Sequence, residues 1–133
     1  MRLLTHNYLM SNVKGAEKGY PLNIEATKID FEESPVDREM VLKLLSKIEY
    51  GALFGASRQI APLCDRPLPE IPDEIDTSVE GWEAKLDDST ILNLHRVLFD
   101  VHVIEGHLVC PDTGRKFAVL EGIPNMILHE DEI

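Results

Sequence analysis

Hydrophobic residues recur along this chain at two spacings, and the spacing changes from one to the other and back. Leu22, Ile24 and Ala26 alternate with Asn23, Glu25 and Thr27, a period of two that predicts a half-buried strand from Leu22 to Phe31, fraying near Ile29 and Phe31. Met40, Val41, Leu44, Leu45 and Ile48 then fall on one face of a helix. Its start is marked by Ser34 as the expected cap, Pro35 in the first turn, and Asp37 and Glu39 at the positive end of the dipole. Ile91, Leu94, Val97, Leu98 and Val101 repeat the helical spacing behind Asp87, a second expected cap. Short strands follow. His102 to Ile104 and His107 to Cys110 flank Glu105-Gly106, and Lys116 to Leu120 returns after the turn Pro111-Asp112-Thr113-Gly114. Proline presets φ in that turn, aspartate bonds the following backbone, and glycine accepts a positive φ.

The first residues, LLTHNYL from Leu3 to Leu9, alternate in part and predict an opening strand. SNVKGAEKGYP then carries Gly15, Gly19 and Pro21 and reads as a loop. The order is strand, strand, helix, acidic loop, helix, strands, and there is no internal repeat. The simplest α+β fold brings the N-terminal strand beside the C-terminal hairpin. Residues 1–33 and 100–133 then form a β domain, and residues 34–99 form an inserted helical lobe. From Ala61 to Gly81 the chain holds Pro62, Pro67, Pro69 and Pro72 with six acidic residues. That composition predicts an extended, mobile loop; a docking segment is the alternative reading.

The bulk numbers narrow the function. The net charge of −11, from 24 acidic and 13 basic residues in 133, opposes contact with phosphate backbones. It suits solubility, or docking onto a basic partner. Met1 to Met10 is too short and too polar for the core of a signal peptide. No run approaches the roughly 18 apolar residues of a membrane span. The expectation is a soluble intracellular protein whose two cysteines, Cys64 and Cys110, stay reduced.

Motifs for chemistry are sparse. Cys110 opens what looks like half of a metal-binding ribbon, but Thr113 stands where a second cysteine would complete the knuckle. The loop from Ser11 to Tyr20 offers neither cysteine nor histidine, and structural zinc needs four soft ligands. No metal is therefore expected, and a small buried thiol is the simpler account of Cys110. Neither cysteine is paired with a histidine in a recognisable nucleophile arrangement, and His6, His95, His102, His107 and His129 are scattered. Phosphate-cradling loops are absent. What remains is the apolar stretch Ile123-Pro124-Asn125-Met126-Ile127-Leu128 beside a polar tail. Proline there fits an edge strand or a strand entry, and such an edge either packs on the helices or takes a strand from a partner.

MRLLTHNYL and VIEGHLVCPDTGRKFAVLEGIPNMIL together resemble the small activating subunit shared by eukaryotic S-adenosylmethionine-dependent methyltransferases. PLNIEATKI fits too, while the stretch from about Arg58 to Asp88 adds little. The resemblance implies a zinc-ribbon-like β domain made from both chain ends with a helical lobe inserted. Members with four cysteines hold zinc; this chain is similar to the branch that lost them. The implied role is non-catalytic: activation and stabilisation of several catalytic subunits, as heterodimers, that methylate tRNA, ribosomal RNA and a translation termination factor in the cytoplasm and nucleus. The cofactor belongs to the partner subunit, and neither nucleic acid nor membrane is bound directly. The implied contact surface comprises Leu4, Thr5, His6, Asn7, Leu9 and Met10 from one end and Ile123, Pro124, Asn125 and Met126 from the other. Leu9 and Met126 would serve as its apolar anchors. Without the resemblance, the residues also fit an acidic ribbon-type protein-binding module of a transcription or translation complex.

Overall fold

Four antiparallel strands form one sheet in the order β1 (Asn23–Phe31), β2 (Val101–Val109), β3 (Lys116–Leu120) and β4 (Ile123–Pro124) in the computed structural model, which describes all 133 residues. The core face reads Ile24, Leu108 and Phe117 across paired positions, and the intervening residues Glu25, His107 and Ala118 face out. This is the period-two pattern expected of β1, and its fraying has a cause. The register slips between Ala26, Lys28 and Ile29, opposite Glu105 and Gly106. Gly106 has φ +152, and a Cβ there would stand 2.2 Å from the Glu25 carbonyl oxygen. Only glycine allows β1 to come so close. The two short segments expected on either side of Glu105-Gly106 are therefore one long strand, kinked against the bulge of β1.

The opening segment is a helix, not a strand: α1 spans Leu3–Tyr8. Leu3, His6 and Asn7 are buried and Thr5 and Tyr8 exposed, an i, i+3, i+4 face that seven residues of partial alternation do not distinguish from a strand. Only Arg2 makes a β-bridge, to His102, while Val103 N–H donates to the Met1 carbonyl at 2.8 Å. The chain start does lie beside β2, as expected, but through two residues.

Two of the polar residues in α1 pin it from inside. His6 Nε2 donates to the Leu22 carbonyl at 2.7 Å; a carbonyl only accepts, so this nitrogen carries the proton. His6 Nδ1 is buried without a partner. Asn7 Nδ2 donates to the Glu49 carbonyl at 2.8 Å, and Asn7 Oδ1 accepts the Glu49 N–H at 3.0 Å. Glu49 is the residue before α3 (Tyr50–Ile60), so Asn7 fixes that helix start to α1.

The helical lobe differs from expectation at its entry. Helix α2 runs Arg38–Leu45 and is capped by Asp37, whose carboxylate accepts the Met40 N–H at 3.2 Å. Ser34 caps nothing. Its hydroxyl donates to Asp100 at 2.5 Å and meets His95 Nε2 at 2.9 Å. Arg96 closes the cluster onto Asp100 and the Ser34 carbonyl. Helix α4 (Asp88–His95) starts at Asp87 as expected, with Thr90 N–H donating to its carboxylate at 2.8 Å. A wider π-type turn, Arg96–Asp100, then feeds β2.

The acidic, proline-rich segment is laid down rather than loose. Tyr50 donates its hydroxyl proton to the Pro72 carbonyl at 2.6 Å, Asn93 donates to the Glu70 carbonyl at 3.1 Å, and Leu68, Ile71 and Ile75 lean on the core. One continuous cluster of 21 buried apolar residues includes Ile24, Leu108 and Phe117 of the sheet and Val41, Leu53 and Leu94 of the helices, so lobe and sheet share a single core. No helix is long and apolar enough to cross a membrane. Residues 30–39 and 61–89, joined by the Arg38–Asp88 ion pair, carry fourteen acidic and three basic side chains and so account for the whole net charge of −11. The remainder of the chain is neutral.

Gly106→Ala is expected to destabilise the protein by about 2 kcal/mol or more, the range of an overpacked or strained site, read by urea unfolding. A second expectation concerns acid. Burial holds the His6 pKa below its ordinary value, with the Leu22 bond opposing that shift, so the unfolded chain binds the proton more readily than the folded one. The stabilising contribution is present above the ordinary histidine range and is lost as pH falls. Thermal unfolding should come earlier at about pH 5.5 than at about pH 7.5, and His6→Gln should flatten that difference.

Candidate functional site

β4 is set by a tight turn. Glu121 has φ 52 and Gly122 φ 76, positive at both central positions, which is the backbone of a type I′ hairpin. The turn pairs Leu120 with Ile123 and Val119 with Pro124, and Asn125 N–H donates to the Ala118 carbonyl at 2.9 Å. Beyond Pro124 the chain keeps alternating without a ladder. Pro124, Met126 and Leu128 are half-buried, the last two against the core, while Ile123, Asn125 and Ile127 face out. Proline at the second position has no N–H to offer, as suits an edge. The far side of β4 pairs with nothing in this chain.

The N-terminus meets this edge. β3 covers β2 only from Gly106 to Val109, and Met1 takes up the space it leaves lower on β2. The Met1 amine donates to the Val103 carbonyl at 2.7 Å. A Cβ on Gly122 would lie 3.3 Å from that amine, so the turn before β4 packs directly on the chain start. The surface formed by the β3–β4 turn and the tail carries large exposed apolar side chains: Leu120 is 64% exposed, Ile123 68% and Ile127 77%. Isolated apolar residues on a surface mean little, but Leu120 and Ile123, paired across the turn, with Ile127 after them, gather at the border of the sheet.

The residues expected at the contact surface divide into three groups. Ile123 and Asn125 point outward, and so do Thr5 and Met10 on the α1 side, Met10 at 50% exposure. Leu4, Leu9, Pro124 and Met126 are half-buried, and Leu4, Leu9 and Met126 pack on the core. Leu9 and Met126, expected as apolar anchors, therefore turn part of their surface inward. His6 and Asn7 are buried and spent on the internal bonds to Leu22 and Glu49, so they offer no polar contact outside. Sequence reasoning missed Tyr8, Leu120 and Ile127. A signal existed for Ile127: period two from Ile123 places it on the same face as Ile123 and Asn125.

Other side chains with chemical potential are held in structural roles. Ser34, His95 and Asp100 are adjacent, but in the wrong order for a nucleophilic relay. The carboxylate accepts from the serine, and His95 Nδ1, which an acid would have to orient, is buried with no partner. Cys64 donates to the Ile60 carbonyl, and burial, with Asp65 beside it, pushes its thiol up. Cys110 is 1% exposed beneath the Pro111–Gly114 turn.

No family model matches the chain. Individual proteins do. Multifunctional methyltransferase subunit TRM112 homolog A of Arabidopsis thaliana is 41% identical over 133 residues, covering 100% of both chains. The TRM112-like subunit of Mus musculus is 38% identical, covering 99% of this chain and 98% of its own. TRM112 of Saccharomyces cerevisiae is 27% identical over 96% of each. A chain from the E. cuniculi Mtq2–Trm112 complex, described as responsible for methylation of the eRF1 translation termination factor, has the same fold, with a TM-score of 0.52 at 18% identity over 96% of this chain and 95% of that one. With that identity sustained from end to end, the chain belongs to the TRM112 family of multifunctional methyltransferase subunits.

Proposed function

We propose that this chain is a non-catalytic activator and stabiliser that docks the unpaired edge of β4, with Leu120, Ile123 and Ile127, against the sheet of a methyltransferase catalytic subunit. The observation that carries the reading is the edge itself: a short strand with a free outer side, flanked by exposed apolar residues, in a member of a methyltransferase-subunit family. A strand added there pairs free backbone groups, and the apolar side chains are covered at the same time. Main-chain pairing reads geometry rather than side-chain identity, so one edge serves several partners. The partners act on tRNA, ribosomal RNA and a translation termination factor in the cytoplasm and nucleus, and they supply S-adenosylmethionine and the catalytic groups. Binding the folded partner and not its unfolded chain stabilises it by about 3 kcal/mol at a hundredfold excess over Kd.

The ribbon-like reading of residues 1–33 and 100–133, with 34–99 as the inserted lobe, is supported by the junction. Ser34 and Asp100 are hydrogen-bonded where the chain leaves the sheet and returns. The net negative charge is shared by both parts, −6 on residues 1–33 and 100–133 and −5 on residues 34–99, so it repels nucleic acid from either and suits a protein partner.

Ile123→Lys is the test. Its side chain projects from the edge, so the free protein should keep its thermal stability. Co-expressed with a methyltransferase catalytic subunit, the variant should lose at least about thirtyfold in affinity, the level of a ~2 kcal/mol hot spot, and the partner's soluble yield should fall with it. Unchanged co-purification would place the interface elsewhere.

A further inference from the structure

The loop from Ser11 to Gly19 and the turn from Cys110 to Arg115 face each other as the two halves of a metal knuckle do, and the family resemblance implies zinc held by four cysteines in some members. The side chains here do not fit that ion. Cys110 is the one soft donor, and the groups facing its sulfur are the Ser11 and Thr113 hydroxyls and the N–H groups of Asp112 and Thr113. Neutral alcohols are poor zinc ligands, and an N–H donates rather than ligates. Three or more histidine, cysteine or carboxylate side chains gather nowhere in the molecule.

The two halves are nevertheless tied, and the ties run in one direction. Loop 11–19 is closed on itself by the Ser11 N–H to Gly19 carbonyl bond of 2.8 Å, with Gly19 so close that a Cβ would stand 2.0 Å from the Ser11 oxygen. From this loop the Glu17 and Lys18 N–H groups donate to one Asp112 carboxylate oxygen at 2.5 and 3.3 Å. Lys14 N–H donates to the Glu132 carbonyl at 2.6 Å, and Arg115 grips the Glu132 carboxylate at 2.5 and 3.1 Å. Every donor that crosses the gap belongs to the N-terminal loop, and every acceptor belongs to the C-terminal half.

We propose that this one-way set of hydrogen bonds, into Asp112 and the tail at Glu132, closes the knuckle in place of a metal, and that the frame still converges closely enough to take a metal if thiols replace the two hydroxyls. Burial pushes the Cys110 thiol up, but the surrounding donors outweigh it and bring it to about 7, as befits a sulfur that accepts. Asp112 is likewise held below the ordinary carboxylate range by the Glu17 and Lys18 bonds.

The full-length protein is tested in three ways. As purified it should carry well below one zinc per chain, and chelator should leave its Tm unchanged. Asp112→Asn should speed amide exchange at Glu17 and Lys18 by about tenfold or more, with Leu108 in the core unaffected. The S11C/T113C double variant should take up one cobalt(II) per chain with thiolate charge-transfer absorption, three sulfurs leaving the fourth tetrahedral position to water. Stoichiometric zinc whose removal lowers Tm overturns the proposal. So does unchanged exchange at Glu17 and Lys18, or a folded double variant that ignores cobalt. Should Asp112→Asn not fold, the cobalt result decides.

Discussion

β2 needs a neighbour on both sides, and the rest of the structure follows from how the chain supplies them. On one side β1 runs its full length, from a point about 80 residues earlier. On the other, β3 covers half and Met1 the remainder. Bringing segments so distant together costs loop-closure entropy, although that cost grows only slowly with separation. Burial of Leu108, Val103 and Val101 against residues from all parts of the chain offsets it. Because β2 is saturated, the sheet's only short strand, β4, is left at the border with one side free. That free border is a by-product of how the centre is satisfied.

Much of this was legible in the residues. Alternation in Leu22 to Ala26 located β1, and helical spacing behind Asp87 located α4 down to its cap. Those signals hold because one face of each element is buried and the other is wet. The failures come where that contrast is weak. LLTHNY forms a helix because Leu3, His6 and Asn7 turn inward, and two of those three are polar, so hydropathy could not mark them. Ser34 looked like a cap because its side chain suits one, yet its hydroxyl is taken by Asp100, 66 residues away. α3 carries two glycines and a mixed face, and its start is fixed by Asn7 from outside the helix. Gly106 was legible as a break but not as a bulge, because its reason is the approach of β1.

At the site the same contrast operates. The resemblance drew attention to the two chain ends, but it could not sort inward from outward residues within them. His6 and Asn7 look like polar contacts on a page of sequence; in the fold they are the internal fasteners of α1. Exposure shifts the emphasis from Leu9 and Met126 to Leu120, Ile123 and Ile127.

The Ser34–Asp100 tie, with Phe31 paired to Val101 just before it, places the two feet of the lobe side by side on the sheet. An insertion or deletion between those feet need not move the strands, because its ends are already fixed in register. A change of length in the exposed part of the proline-rich stretch is therefore taken up within the lobe, and the register of Phe31 with Val101 is left as it is.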